Sequence, residues 1–139
     1  MKRLLVLIIS VLALNSVFAQ RMGNVTNLSS ADFAAQISRA DVVLVDVRSY
    51  RESIGDHIDG GLNVEWHSAT ANNFKSEFAK LKILKDKTVA VYCQSGKRSR
   101  QAATMIAEMG YNVINLDGGL LQWRRDGFPS VKREPNSRK

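Results

Sequence analysis

Two patterns of apolar residues alternate along the chain, one typical of β-strands and the other of amphipathic helices. Continuous runs of β-branched and other apolar residues predict strands, and the longest of them suits burial on both faces, as in a parallel sheet. These runs are 24–28, 42–47, 62–64, 88–92 and 111–116. Apolar residues at three- and four-residue spacing predict helices over 69–81 and 101–109. A chain in which strands and helices alternate predicts an α/β domain with a mostly parallel central sheet and right-handed crossovers.

The first residues predict a secretory signal rather than a part of the fold. A short basic start, Met1-Lys2-Arg3, precedes an apolar stretch over 4–18, and small residues lead to Ala19. This pattern predicts cleavage after Ala19, with 1–19 as the signal peptide. The stretch is short for a membrane span, so we expect no stable membrane anchor. We therefore expect an exported protein, periplasmic in a Gram-negative bacterium, with a domain over 24–130 and a basic flexible tail over 131–139.

The chain is basic, and the location of its positive charges limits the partners that we expect. The 139 residues carry a formal charge of +7, with much of the excess in the segment 97–100 and in the tail. The interleaving of basic and aromatic residues that single-strand binders use is not found, so we expect no nucleic acid partner. The chain has one cysteine, Cys93, and therefore no internal disulfide. An unpaired thiol is a liability in an oxidising compartment unless it is used. Nothing in the sequence demands an oligomer, and we expect a monomer.

The segment with the most chemical character begins at the cysteine. Cys93-Gln94-Ser95-Gly96-Lys97-Arg98-Ser99-Arg100 lies between the strand 88–92 and the helix 101–109. A tight loop that enters a helix N-terminus presents backbone N–H groups to an anion, and the cations add to that field. The same field stabilises a thiolate, the reactive form of cysteine. A small buried core cysteine is the alternative, but glycine and three cations beside the thiol favour a nucleophile.

Several short motifs together resemble those of a rhodanese (thiosulfate sulfurtransferase) domain. The active loop of that family reads Cys-x-x-Gly-x-Arg, which Cys93, Gly96 and Arg98 match. Further matches are an Asp-x-Arg after the first buried strand, an acid soon after it, and a late Gly-Gly-x-x-x-Trp. These matches are Asp46-Val47-Arg48, Glu52, and Gly118, Gly119 with Trp123. The segment 55–63 departs from the family's Gly-His-Ile-x-Gly-Ala-x-Asn pattern by an inserted Asp56 and by Gly61 in place of alanine.

The resemblance implies a three-layer fold and a ping-pong sulfur transfer. Cys93 would take the outer sulfur of thiosulfate, release sulfite, and pass the persulfide sulfur to cyanide or a thiol. The backbone N–H groups of 94–98 would hold the sulfur, and the cations would bind the donor's oxygens. The implied donor-binding residues are Gln94, Ser95, Gly96, Lys97 and Arg98, and those supporting the loop are Asp46, Arg48 and Ser99. The small-molecule donor and acceptor require no metal and no organic cofactor.

Two other functions fit the same loop. The first is a persulfide carrier that a partner protein loads, which the sequence leaves open. The second is a cysteine phosphatase or arsenate reductase. Those enzymes use Cys-x5-Arg, whereas four residues separate Cys93 from Arg98, so we expect this loop to be too small for phosphate. A cation-rich loop favours thiosulfate or another sulfonate-like donor.

Overall fold

The computed structural model describes residues 22–132, and within this range it has five strands. The strands are β1 (Val25–Leu28), β2 (Val42–Asp46), β3 (Leu62–Asn63), β4 (Thr88–Tyr92) and β5 (Asn112–Leu116). The helices are α1 (Ser30–Ile37), α2 (Tyr50–Gly55), α3 (Ala71–Ala79), α4 (Lys97–Glu108) and α5 (Gly119–Arg125). A 3₁₀ turn over Ser68–Thr70 precedes α3. The predicted signal peptide lies outside the described residues.

The strands form one sheet in the order β1-β5-β4-β2-β3, and every pairing in it is parallel. This confirms the predicted α/β architecture. In β4, Val91 pairs with Val45 of β2 on one side and with Asn115 of β5 on the other. The most buried strand therefore delivers the residue that follows it, Cys93, to the middle of the sheet's carboxyl edge, where ligands of such sheets bind.

Each face of the sheet is covered by a pair of helices, which gives three layers. One core contains Phe74 and Phe78 of α3 together with Ile106 of α4. The other contains Phe33 of α1 with Trp123 of α5, whose rings meet edge to face at 6.2 Å. Cys93 belongs to the first core. In each layer the apolar face of the helix is the face that packs on the sheet.

Helix α4 begins at Lys97, four residues before the predicted start at 101. The prediction rested on apolar spacing, and the first turn carries charged residues that face away from the core. Helix α3 is also shorter than the predicted 69–81, because its first residues form the 3₁₀ turn and the chain leaves the helix before Lys82, whose φ is 51°. Of the helices between residues 22 and 132, none has the length and apolar character needed to cross a membrane.

The segment after α5 is attached to the domain, although the tail was predicted to begin at 131. The indole N–H of Trp123 donates to the carbonyl of Pro129 at 2.9 Å. Val131 forms an antiparallel bridge with His57, with N···O distances of 2.8 and 2.9 Å. The main-chain bonds of Val131 are made to the loop at His57, far away in the sequence, so no local pattern predicts them. The tail beyond 132 lies outside the described residues.

Candidate active site

Cys93 is fully buried at the carboxyl end of β4, and its sulfur is held by main-chain donors. Its Sγ accepts hydrogen bonds from the backbone N–H of Gly96 at 3.1 Å and of Ser99 at 3.3 Å. Gly96 lies in the predicted range of 94–98, and Ser99 lies one residue beyond it. Both donors stabilise negative charge on the sulfur.

Gly96 allows the chain to pass from the loop into α4. Its φ of 94° lies in the left-handed region, which glycine enters without steric cost. A β-carbon at this position would also lie 3.2 Å from the backbone nitrogen of Gly118. The turn brings two amides against the thiol, that of Gly96 at the N-cap of a twelve-residue helix and that of Ser99 in its first turn. The side chain of Ser99, which is buried, donates to the carbonyl of Gly96 at 3.2 Å and closes the turn.

The ion pair Arg48–Asp46 lies at the end of the neighbouring strand and contacts the cysteine loop. Both side chains are about 3% exposed, and Arg48 Nη2 lies 2.7 Å from Asp46 Oδ2. Burial opposes the charge of Arg48, but the hydrogen bond and charge of Asp46 outweigh it and leave the pKa of Arg48 raised. Arg48 Nη1 also donates to Gln94 Oε1 at 3.4 Å. This contact joins the pair of Asp46 and Arg48, predicted to support the loop, to Gln94, the residue that follows Cys93.

Arg98 makes a two-point ion pair with Glu52 of α2. Its Nη1 and Nη2 each lie 2.8 Å from a different oxygen of the carboxylate. The hydrogen bond from Arg98 lowers the pKa of Glu52 to about 2, and donation from Ser49 contributes to that shift. Ser49 and Glu52 also form a capping box at the start of α2. The sequence analysis assigned Arg98 to donor binding and identified Glu52 as a motif match, without naming the partner of either residue.

The N-terminus of α5 binds the main chain of Cys93 and Gln94, a contact that the sequence analysis did not predict. The N–H of Leu120 donates to the carbonyl of Cys93 at 2.9 Å, and that of Leu121 donates to Gln94 at 3.1 Å. The first N–H groups of a helix have no partner within the helix, and these two bind the carbonyls of the residues that follow β4. The adjacent glycines 118 and 119 both have positive φ and were the available signal.

Asn63 is a second residue that the sequence analysis did not assign to the site. Its Nδ2 donates to the backbone carbonyls of Asp46 at 3.0 Å and of Arg48 at 2.8 Å. Asn63 therefore holds the main chain at both residues of the ion pair, and this pair contacts Gln94. Its place at the end of the glycine-rich segment 55–63 was the only local signal.

Ser95 and Lys97, the other predicted donor-binding residues, are exposed beside the buried thiol. The roles assigned to them stay predictions. Between residues 22 and 132, no group of three or more histidine, cysteine, aspartate or glutamate side chains is placed to hold a metal ion. The expectation of a reaction without metal or cofactor also stays a prediction.

Comparison with known proteins places this geometry in a family. A family model of the rhodanese-like domain matches residues 29–126. A sulfurtransferase of Allochromatium vinosum is 39% identical over 95 residues, covering 68% of this chain and 82% of that protein. The crystal structure of a rhodanese-related protein from Thermoplasma volcanium matches with a TM-score of 0.61 and 30% identity, covering 76% of this chain and 97% of that one.

Some relatives are larger proteins with another name. A tRNA uridine(34) hydroxylase of Cytophaga hutchinsonii is 30% identical over 98 residues, which is 70% of this chain but only 31% of that protein. The shared part is thus the domain that carries the cysteine loop, and not the whole of the larger relative. The match over residues 29–126, the parallel sheet and the loop at its carboxyl edge all agree, and the chain belongs to the rhodanese-like domain family.

Proposed function

We propose that this protein is a sulfurtransferase that moves sulfane sulfur from thiosulfate to cyanide or a thiol through a persulfide on Cys93. The observation that carries the proposal is the sulfur of Cys93 within reach of the amides of Gly96 and Ser99, at the start of α4. The naming of a relative as a sulfurtransferase supports the same reaction class. An amide cradle at a helix N-terminus favours a thiolate, the form that attacks sulfur.

In the first half-reaction, the Cys93 thiolate attacks the outer sulfur of thiosulfate. A bond forms between Sγ and that sulfur while the bond to the sulfonate sulfur breaks. Both electrons of the broken bond leave with sulfite, so no oxidant or reductant is consumed. The persulfide that remains carries negative charge on its terminal sulfur, which the amides and the positive end of α4 stabilise.

In the second half-reaction, the acceptor attacks the terminal sulfur of the persulfide. Cyanide forms a carbon–sulfur bond and leaves as thiocyanate, whereas a thiolate acceptor leaves as a new persulfide. In both cases the electrons of the broken sulfur–sulfur bond return to Cys93 as a thiolate. Each half-reaction is therefore a displacement at sulfur, with one covalent intermediate between them.

The first turn of α4 supports an anionic donor. It contains no acid and carries Lys97, Arg98 and Arg100, so cations lie at the helix end that already bears positive partial charge. Such an arrangement costs stability by opposing the helix dipole. Proteins accept such a local cost in stability at functional sites. Cations at this helix N-terminus, close in sequence to Cys93, are therefore expected if an anion binds there.

A persulfide carrier loaded by a partner is the second candidate, and the burial of Cys93 favours it. The residue has no solvent-exposed surface, so access to its sulfur requires movement of the groups that cover it. A docked partner could provide that movement, while thiosulfate would have to enter unaided. Slow loading by thiosulfate with fast loading from a partner's persulfide would favour the carrier.

The experiment that tests the proposal is a sulfite burst. Mixed with thiosulfate and no acceptor, the protein should release one sulfite per chain and then stop until cyanide is added. Release of no sulfite, with persulfide transfer from a protein donor intact, would move the assignment to the carrier. Hydrolysis of an aryl phosphate that Cys93→Ala abolishes would instead favour the phosphatase alternative.

A further inference from the structure

We infer that Glu52 is a positioning residue for the nucleophile, acting through Arg98, and that Lys97 rather than Arg98 binds the anionic end of the donor. The inference rests on the proposed function and goes beyond it by dividing the cations of the loop between two tasks. Three observations carry it: the geometry of the Arg98–Glu52 pair, its connection to Cys93 Sγ, and the exposure of Lys97.

The guanidinium of Arg98 is already bound to the carboxylate of Glu52, which a sulfonate would have to displace. Two parallel N–H···O bonds of 2.8 Å join its terminal nitrogens to the two oxygens of Glu52. This fork-to-fork arrangement is the one in which arginine binds oxyanions. A donor bound to Arg98 in the same way would have to displace a carboxylate that Ser49 also holds, through its N–H at 3.1 Å and its hydroxyl at 2.9 Å.

The ion pair is joined to the reactive sulfur through a single peptide link. Arg98 is followed by Ser99, whose N–H donates to Cys93 Sγ at 3.3 Å and whose hydroxyl donates to Gly96 at 3.2 Å. Glu52 thus attaches the first turn of α4 to α2, and the same turn supplies both amides that contact the sulfur. Loss of the pair would release the turn on one side and misplace those amides, and small displacements of such groups are costly in catalysis.

Lys97 is the first residue of α4, between Gly96 and Arg98 in the chain, and has no such attachment. It is exposed, follows the Gly96 amide that contacts Sγ, and forms no ion pair with any residue in the range 22–132. Arg100, the remaining cation of the turn, lies 3.7 Å from Asp117. A lysine whose ammonium is engaged in no ion pair within the described residues can bind a sulfonate without breaking an existing pair.

The test measures single-turnover loading of Cys93 as a function of thiosulfate concentration, in the full chain. Glu52→Gln and Arg98→Gln should each lower the maximal rate about tenfold, the loss expected for a charge-assisted contact, with half-saturating thiosulfate little changed. The double variant should lose no more than either single variant. Lys97→Gln should raise the half-saturating concentration and leave the maximal rate close to that of the wild type.

A matched control is available at the opposite edge of the sheet. Arg39 and Asp41 form an exposed two-point pair with distances of 3.0 Å, just before β2. Asp41→Asn breaks a pair of the same type and should leave both kinetic parameters unchanged. If Arg98→Gln raises half-saturating thiosulfate while Glu52→Gln leaves or lowers it, Arg98 binds the donor directly and the inference is wrong.

A donor-independent measurement separates this inference from the proposed function. The rate at which iodoacetamide alkylates Cys93 requires neither a sulfur donor nor an anion site. Glu52→Gln and Arg98→Gln should change this alkylation rate by the same factor, and the double variant should change it by no more than that factor. Asp41→Asn should leave the alkylation rate unchanged. An alkylation rate unaltered by Glu52→Gln would overturn the positioning role, even in a chain that accepts no sulfur from thiosulfate.

Discussion

The backbone N–H of Leu120 donates to the carbonyl oxygen of Cys93 at 2.9 Å, which attaches helix α5 to the start of the cysteine loop. Gly119 immediately precedes this contact with a φ of 63°. A β-carbon there would lie 2.6 Å from the carbonyl carbon and oxygen of Gln94 and 2.7 Å from the carbonyl oxygen of Cys93. The loop and the helix can therefore approach this closely only with glycine at 119.

Replacing Gly119 with alanine should displace the cysteine loop. We expect Gly119→Ala to lower the rate of Cys93 loading at least tenfold, since about 1.4 kcal/mol of lost transition-state stabilisation suffices for that factor. Gly127→Ala is the matched control, because Gly127 has a φ of 82° but open space around its missing β-carbon. It should cost about 1–2 kcal/mol of stability from the left-handed backbone and leave loading unaffected. Equal losses of loading in the two variants would show that the contact with the loop is unimportant.

The buried pair of Arg48 and Asp46 should make a large contribution to stability. Arg48→Ala leaves the carboxylate of Asp46 buried without its partner, which is expected to cost about 3–5 kcal/mol in the free energy of unfolding. Arg39→Ala removes an arginine from an exposed pair that solvent screens, and should cost much less. Urea unfolding of the two variants measures the difference. Similar costs would mean that Arg48 is not needed to hold the end of β2.

The Glu52–Arg98 pair predicts a dependence of stability on acid pH. The pKa of Glu52 falls from 4.5 to about 2 in the folded chain, so its contribution is present above the higher value and is lost as the pH falls towards the lower. The Glu52 side chain is 37% exposed, and solvent screening keeps the contribution modest. The free energy of unfolding of wild type minus that of Glu52→Gln should shrink between neutral pH and about pH 3. A difference that stays constant over this range would exclude the pair as its source.

The fold was predictable because its strands and helices carry local patterns. The runs 42–47 and 88–92 and the helical spacing of Phe74 and Phe78 reflect the periods of strand and helix. Helix α4 was predicted four residues short, since the charged residues from Lys97 onward show no apolar spacing. The bridge between His57 and Val131 joins segments far apart in sequence, and no local pattern encodes it.

The candidate site was predictable where one segment carries the chemistry. The position of Cys93 after a strand, with Gly96 and the cations behind it, was sufficient to predict a thiol in an amide-lined turn at the carboxyl edge of the sheet. The choice of ion-pair partners was not, because Arg98 and Glu52 are separated by 46 positions and meet only in the folded chain. The contacts of Asn63 and Leu120 were missed for the same reason. Export, the tail beyond 132 and the monomeric state stay predictions.

The most direct test of the account is the intact mass of the protein, before and after thiosulfate and again after cyanide. The account predicts a gain of one sulfur atom with thiosulfate, its removal by cyanide, and neither change in Cys93→Ser. Cys93→Ser should keep the fold, so circular dichroism of that variant serves as the control. A sulfur gain that persists in Cys93→Ser, or wild-type protein that gains none from thiosulfate, would contradict a thiosulfate-fed persulfide on Cys93.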